Sequence, residues 1–150
     1  MIVILICIIS SVFAQRNENS DIIIALLSNS KKVNYCPDGT LFDRAETQAM
    51  YKGKELRKST EFAELLKSKM SNDVKEGKVI LYADIDCNGT IGNYAIAVNY
   101  PSDDDVIFCK SLINALNDTP AFTPAKQKGT PVSSKVQFKI TYTNGLIKIY

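Results

Sequence analysis

Residues Asp84 to Ile91 carry the side chains whose types and spacing come closest to a metal site. They read DIDCNGTI, with oxygen ligands at positions 1, 3 and 5, glycine at position 6 and an apolar residue at position 8, which matches the first part of an EF-hand calcium loop. Calcium also requires a bidentate carboxylate at position 12, where this chain has Ala95. Helices should flank such a loop, yet both flanks alternate with a period of two. The segment therefore predicts a metal-free turn between two strands.

Three consecutive carboxylates, Asp103 to Asp105, are a second candidate for metal or acid–base chemistry. They precede an apolar pattern over Val106 to Asn117 that is typical of a helix, and Ser102 or Asp103 is suited to cap its N-terminus. Acidic side chains in that position complement the helix dipole. We therefore interpret the cluster as a helix cap.

The chain contains no histidine, which removes the commonest general base and the commonest transition-metal ligand. Ser–His and Cys–His catalysis are thereby excluded, and the sequence shows neither a glycine-rich phosphate loop nor a helix with paired carboxylates. A formal net charge of +2 without a long run of lysine or arginine argues against a nucleic-acid partner. We expect no enzymatic activity, no catalytic residue, no metal or cofactor, and no small-molecule substrate.

The four cysteines are divided between the first segment and the rest of the chain. Residues 1–15 read MIVILICIISSVFAQ, an apolar run that is too short to span a bilayer and ends in small residues. This favours a signal peptide cleaved near Ala14 over an uncleaved anchor or a lipid-modified Cys7. An exported chain reaches an oxidising compartment, so we expect one disulfide between Cys36 and either Cys87 or Cys109. The spacing leaves both pairings open.

Hydrophobic periodicity and turn residues define the expected elements. Asn88-Gly89 between two alternating runs predicts a hairpin over Gly77 to Tyr100 with a type I′ turn. The other predicted elements are two helices, one strand and a second hairpin strand that follows an Asn-Gly turn: Ser59–Met70, Val106–Asn117, Lys135–Tyr142 and Leu146–Tyr150.

A chain of 150 residues is long enough for one domain with its own core. The expected organisation is a signal peptide over residues 1–14, an N-terminal arm over 15–50 and a domain over 51–150. Within the arm, residues 22–27 are compatible with a strand, a helix or a mobile segment. Short strands are predicted at Val33–Cys36 and Thr47–Tyr51.

Three stretches together carry a family resemblance. Residues 76–79 (EGKV) and 84–91 are similar to a first strand and hairpin, and residues 112–116 (LINAL) to a helix that follows them. A loop of the form P-x-[FW]-x-P-[AG]-x-x-x-G-x-P-V is formed by Pro120, Phe122, Pro124, Ala125, Gly129, Pro131 and Val132. With these motifs, residues 51–142 resemble the C-terminal domain of TonB energy transducers, especially the form found in Bacteroidetes.

The resemblance implies an α+β fold in which two helices pack on one face of an antiparallel sheet of three to four strands. In that family the domain works in the periplasm and takes part in TonB-dependent transmembrane transport. It binds a short box segment of outer-membrane transporters by β-augmentation, in which the segment pairs with the edge of the last strand. The partner-binding edge that the resemblance implies for this chain is Lys135, Val136, Gln137, Phe138, Lys139, Ile140, Thr141 and Tyr142.

Two functional hypotheses follow from the resemblance. The first is a periplasmic module, free or membrane-associated, that binds such a peptide segment. Without the family's membrane anchor and proline-rich spacer, we expect binding rather than direct energy transduction. The second is a structural module that forms a homodimer through its sheet edge. Both depend on whether Leu146–Tyr150 covers that edge, which the sequence leaves open.

Overall fold

The computed structural model describes residues 18–28, 30–98 and 101–150. Its elements in chain order are α1 (Glu18–Ser28), β1 (Leu41–Phe42), β2 (Met50–Tyr51), β3 (Lys54–Glu55), a 3-10 turn (Leu56–Lys58), α2 (Thr60–Lys69), β4 (Glu76–Ile85), β5 (Ile91–Ala97), α3 (Asp103–Asn117), β6 (Ala125–Gln127), β7 (Thr130–Thr143) and β8 (Leu146–Ile149). The predicted signal peptide, with Cys7 and Ala14, lies outside the described residues. No helix in the described ranges combines the length and the apolar character needed to cross a bilayer.

The fold is α+β, as predicted, and is organised around the long strand β7. Strand β4 runs antiparallel to β7 from Ser134 to Thr143, and β5 runs antiparallel to β4. Strands β1, β6 and β8 also pair with β7, which gives a six-stranded sheet, and β2 and β3 form a separate pair. The predicted sheet of three to four strands with two helices was therefore too small. Strands β1 and β6 are two and three residues long, too short to show an alternating pattern in the sequence.

Alternation along the two central strands places one face of the sheet in the core. Val79, Leu81, Ala83 and Ile85 of β4 are all buried, and they pair with residues of β7 that include Phe138 and Ile140. Helix α2 packs on this face through Phe62, whose ring centroid lies 5.9 Å from that of Phe138. Helix α3 contributes Phe108, Cys109, Leu112, Ile113 and Leu116, which are buried as its apolar stripe predicts.

The helix caps confirm the predictions from local sequence. The hydroxyl of Ser59 accepts a hydrogen bond from the amide of Phe62 at 3.1 Å and starts α2. At the start of α3, Ser102 and Asp105 form a capping box: the Asp105 amide donates to Ser102 Oγ, and the Ser102 amide donates to the Asp105 carboxylate. The three consecutive carboxylates thus occupy the first turn of a helix, as interpreted from the sequence.

The first hairpin forms where predicted, but its turn is not type I′. A type I′ turn needs positive φ at both central residues, and here Gly89 has φ +83° whereas Asn88 is outside the positive-φ region. The Asp86 carboxylate replaces that geometry, because its Oδ1 accepts hydrogen bonds from the amides of Asn88 at 2.9 Å and Thr90 at 3.0 Å. The second Asn-Gly pair does meet the type I′ requirement, with φ of 51° at Asn144 and 74° at Gly145.

The N-terminal segment packs against the rest of the fold. Residues 22–27 lie in helix α1, which contacts α3 and β5 and buries Ile23. The predicted strand at Val33–Cys36 is absent, and of Thr47–Tyr51 the last two residues form β2. These predictions failed because the segment takes its conformation from tertiary contacts, such as the hydrogen bond from the Asn93 amide to the Lys31 carbonyl at 2.9 Å.

Candidate functional site

The second side of β7 contains a short stretch without a partner strand. Strand β8 pairs with residues 140–143, and Lys139 exchanges two main-chain hydrogen bonds with Tyr150 at 3.2 and 3.0 Å. Strand β1 pairs with Ser133 and Ser134 on the same strand. Between them, no strand in the described ranges pairs with residues 135–138 on the side of β7 away from β4. We call residues 135–138 the notch.

Within the notch, the main-chain N–H and C=O of Gln137 point to the side of β7 away from β4. In an antiparallel ladder the N–H and C=O groups of successive residues point to opposite sides of the strand. Because Lys139 directs its groups toward Tyr150, Gln137 directs its N–H and C=O to the same side, where the ladder is interrupted. An unpaired strand segment of this kind is a template for pairing with another chain.

A cleft of about 350 Å³ lies beside the notch. Its floor is apolar and includes Ala49, Leu56, Val136 and Phe138, three of which are buried. Its rim carries charged and polar side chains: Asp43, Arg44, Gln48, Glu55, Arg57 and Lys58. An unpaired main chain next to an apolar floor is the combination that an extended peptide uses in strand addition.

The rim of the cleft has unbalanced positive charge. Lys58 pairs with Glu55 at 3.0 Å, and Asp43 pairs with Lys135 at 3.3 Å. Arg44 and Arg57 form no ion pair with a carboxylate in the described part of the chain. Both arginines are exposed, so their guanidinium groups are accessible to a ligand.

Among the described strands, none pairs with the outer edge of β8. Lys148 lies opposite Thr141 and Tyr150 exchanges hydrogen bonds with Lys139, so Ile147 and Ile149 direct their main-chain groups away from β7. A cleft of about 250 Å³ lies along this edge, and its lining shares Arg57 and Lys58 with the first cleft. The two clefts therefore meet at the 3-10 turn.

The strand edge over Lys135 to Tyr142, predicted to bind a partner, is covered by another strand over half of its length. In the structure, residues 139–142 are paired on both sides, with β4 and with β8 or Tyr150. The turn at Asn144-Gly145 folds β8 back onto β7, which explains the coverage. Among the described residues, no strand pairs with residues 135–138 of the predicted edge on the side away from β4, and Gln137 directs its main-chain groups to that side. The clefts add Arg44, Arg57 and Lys58. In the sequence, Arg57 and Lys58 belong to a scatter of cations that is more typical of a solvated face than of a binding patch, and the single Arg44 gives no signal.

The family loop motif has a structural role. Phe122 is buried, donates its amide hydrogen bond to the Gly89 carbonyl at 2.8 Å, and packs its ring edge-on against Phe62. Ala125 and Val132 form a small apolar cluster with Ala45. The other motif residues, Pro120, Pro124, Gly129 and Pro131, are exposed or half-buried in the loop and the β6–β7 turn. The motif fastens the first hairpin to the core.

The cysteines are joined in one of the two pairings that the sequence left open. Cys36 forms a disulfide with Cys87, with a Cα–Cα distance of 5.7 Å. Cys109 is a free thiol buried in α3. Burial, with a smaller contribution from the charge of Asp105, raises the pKa of the Cys109 thiol to about 12. Cys109 therefore stays protonated at neutral pH and is a poor nucleophile.

The carboxylates do not form a metal site in the part of the chain that the structure describes, where no three His, Cys, Asp or Glu side chains converge. Asp86 is used to cap the hairpin turn. Asp84 accepts hydrogen bonds from Tyr35 at 2.6 Å and from Asn93 at 3.2 Å.

Comparisons with protein-family models, curated proteins and solved structures returned no match to this chain.

Proposed function

We propose that this chain is an exported protein-binding module of the TonB C-terminal type. The proposed partner is a short extended segment of an outer-membrane transporter, and the proposed process is TonB-dependent transmembrane transport, with binding rather than energy transduction as the role of this chain. The observation that carries the proposal is the notch, where the main chain of Gln137 is unpaired beside an apolar cleft. The sheet, antiparallel except for the parallel pairing of β1 with β7, and the helices on its core face are compatible with the family resemblance seen in the sequence.

The peptide enters the notch with β8 in place. Displacing β8 would open its paired positions on β7 and expose Ile147, which is 8% exposed, as well as the half-buried Ile149. Burial of one such side chain contributes about 1.5–3 kcal/mol, a cost that a short peptide must first recover. Using the notch avoids this cost, so binding there is the more favourable route.

The notch predicts weak and reversible binding. A four-residue gap offers few main-chain hydrogen bonds, each worth about 0.5–1.5 kcal/mol net. One apolar side chain in the cleft adds about 1.5–3 kcal/mol. Against the entropy cost of association, this combination favours a transient complex, which suits a partner that must be released.

A single proline substitution, at Gln137, tests the proposal. Gln137→Pro removes the N–H that faces the notch and leaves the ladder to β4 intact, because that N–H points away from β4. Gln137→Ala is the matched control, since it keeps the N–H. Affinity for a synthetic peptide copying a transporter box segment of the same organism is measured by titration calorimetry. We expect Gln137→Pro to weaken binding roughly fivefold, the equivalent of about 1 kcal/mol, and Gln137→Ala to leave it unchanged.

Absence of binding to the unsubstituted protein at millimolar peptide would overturn the proposal. Equal affinities for the proline and alanine variants would also overturn it, because the notch main chain would then have no part in binding. Amide shifts of β4 in each variant serve as the check on folding.

Self-association is the second candidate function, and one observation favours it. No described strand pairs with the outer edge of β8, and Leu146 and Tyr150 beside it are each 56% exposed. An exposed strand edge with apolar neighbours can pair with a second copy. Sedimentation equilibrium at rising protein concentration separates the candidates: a constant monomer mass excludes the dimer, and a mass that doubles supports it.

A further inference from the structure

The cleft beside the notch has features that would select among extended peptides. Strand addition through main-chain hydrogen bonds is indifferent to sequence, so selectivity must come from side-chain pockets. The cleft supplies an apolar floor and a rim with two arginines that lack a carboxylate partner among the described residues. These features determine which side chains are accepted.

We propose that the cleft selects a peptide in which an apolar residue is followed or preceded, two positions away, by an acidic residue. The inference rests on the proposed function, because it specifies the peptide class for the same site. The group that the rim recognises is an acidic side chain of the peptide rather than a free anion.

The spacing follows from strand geometry. In a strand added at the notch, every second side chain points to the sheet face that carries Val136 and Phe138. That face opens into the cleft. Successive inward side chains of the peptide are therefore two residues apart. One can rest on the apolar floor while the next reaches the rim.

The charge of the rim determines which peptide side chain is favoured next to the apolar one. Glu55 and Asp43 already have cationic partners at 3.0 and 3.3 Å. Arg44 and Arg57 remain, and a guanidinium group binds a carboxylate through two parallel hydrogen bonds. A basic residue at the same position of the peptide would face these two cations and be rejected.

Two synthetic peptides test the inference without knowledge of the natural partner. The acidic probe TETVTET and the neutral probe TQTVTQT each place valine between two identical inward residues, so the result does not depend on strand direction. We expect the acidic probe to bind about fivefold to tenfold more tightly, since two exposed charge pairs each contribute modestly. Binding is measured by titration with ¹⁵N-labelled protein at low salt.

Protein variants assign the effect to the cleft. The double variant Arg44→Gln with Arg57→Gln should abolish the preference for the acidic probe and leave neutral-probe binding unchanged. The matched control, Lys75→Gln with Lys110→Gln, removes the same charge at exposed positions outside the cleft and should keep the preference.

The outcomes separate the inference from the proposed function. Equal binding of both probes, with shifts at residues 135–138, would overturn the selectivity and preserve strand addition. Failure of both probes to bind would overturn both. A preference lost equally in the Lys75→Gln/Lys110→Gln control would also overturn the inference, since it would reflect net charge rather than the cleft.

Discussion

At the level of single residues, Gly89 occupies a position where its neighbours leave no space for a side chain. Its φ of +83° lies in the left-handed region, and a Cβ there would overlap the carbonyl oxygen of Phe122. The Phe122 amide in turn donates to the Gly89 carbonyl. The sequence predicted a glycine in a turn, but the contact with Phe122, 33 positions along the chain, could not be read from local pattern.

Gly89→Ala is therefore expected to destabilise the protein by about 3 kcal/mol or more. A left-handed alanine alone costs about 1–2 kcal/mol, and displacing Phe122 adds the loss of a main-chain hydrogen bond and of core packing. Gly129→Ala is the control, because Gly129 has φ +77° with no atom within 4 Å of its Cβ position. Urea unfolding measures both, and equal losses in the two variants would contradict the contact with Phe122.

Cys109 makes the free energy of unfolding vary with pH in the alkaline range. Burial raises the pKa of its thiol from 9.0 to about 12, and burial also raises the pKa of Tyr94 well above 10.0. The unfolded chain releases these protons at lower pH than the folded chain. The contribution of the two protonated groups to the free energy of unfolding is therefore fully present below pH 9 and falls as the pH rises toward 12. Each group contributes at most about 1.4 kcal/mol per pH unit.

We expect Cys109→Ala to show a shallower decline in unfolding free energy between pH 9 and 11 than the unsubstituted protein. Tyr94 remains, so part of the decline persists. Chemical denaturation at several pH values measures the slopes. Identical slopes for the two proteins would show that the pKa of the Cys109 thiol is not raised in the folded state.

At the scale of elements, the sequence predicted what local signals control. The caps at Ser59 and Ser102, the alternation in β4 and the turn at Asn144-Gly145 are all set by neighbouring residues, and each was found where expected. Strands β1 and β6 and the notch itself arise from contacts between distant segments. The open stretch of main chain lies on the strand that the sequence proposed as the binding edge, but its extent depends on how far β8 covers β7, which no local pattern encodes.

Fixing β8 in place tests whether peptide binding uses the notch or requires strand displacement. Thr141 and Lys148 lie directly opposite each other, at a Cα spacing that allows a cross-strand disulfide. In a Cys109→Ala background and under non-reducing conditions that keep the native disulfide, the cross-linked Thr141→Cys with Lys148→Cys protein should bind the peptide as tightly as the Cys109→Ala protein without the added pair. Loss of binding in the cross-linked protein alone would show that β8 must leave β7.

At the scale of the whole molecule, one covalent link fastens the N-terminal segment to the first hairpin. The Cys36–Cys87 disulfide closes a loop with a sequence separation of 51 residues. In the chain-entropy description, a loop of this size stabilises the folded state by about 4 kcal/mol. The link also holds the segment that carries β1, which borders the notch.

Replacing both cysteines, Cys36→Ala with Cys87→Ala, should therefore lower the free energy of unfolding by about 4 kcal/mol. Urea unfolding under non-reducing conditions provides the measurement, and Cys109→Ala is the variant that removes a thiol without removing a link. A double variant as stable as the parent protein would show that the disulfide is not formed in solution.

Amide hydrogen exchange at Gln137 reports whether the main chain is open at the notch. In the free protein this N–H faces a gap in the ladder, so it should exchange much faster than the paired amide of Lys139. A bound strand peptide should slow exchange at Gln137 and leave Lys139 unchanged. A Gln137 amide already protected in the free protein, or unprotected when the peptide is bound, would contradict the account.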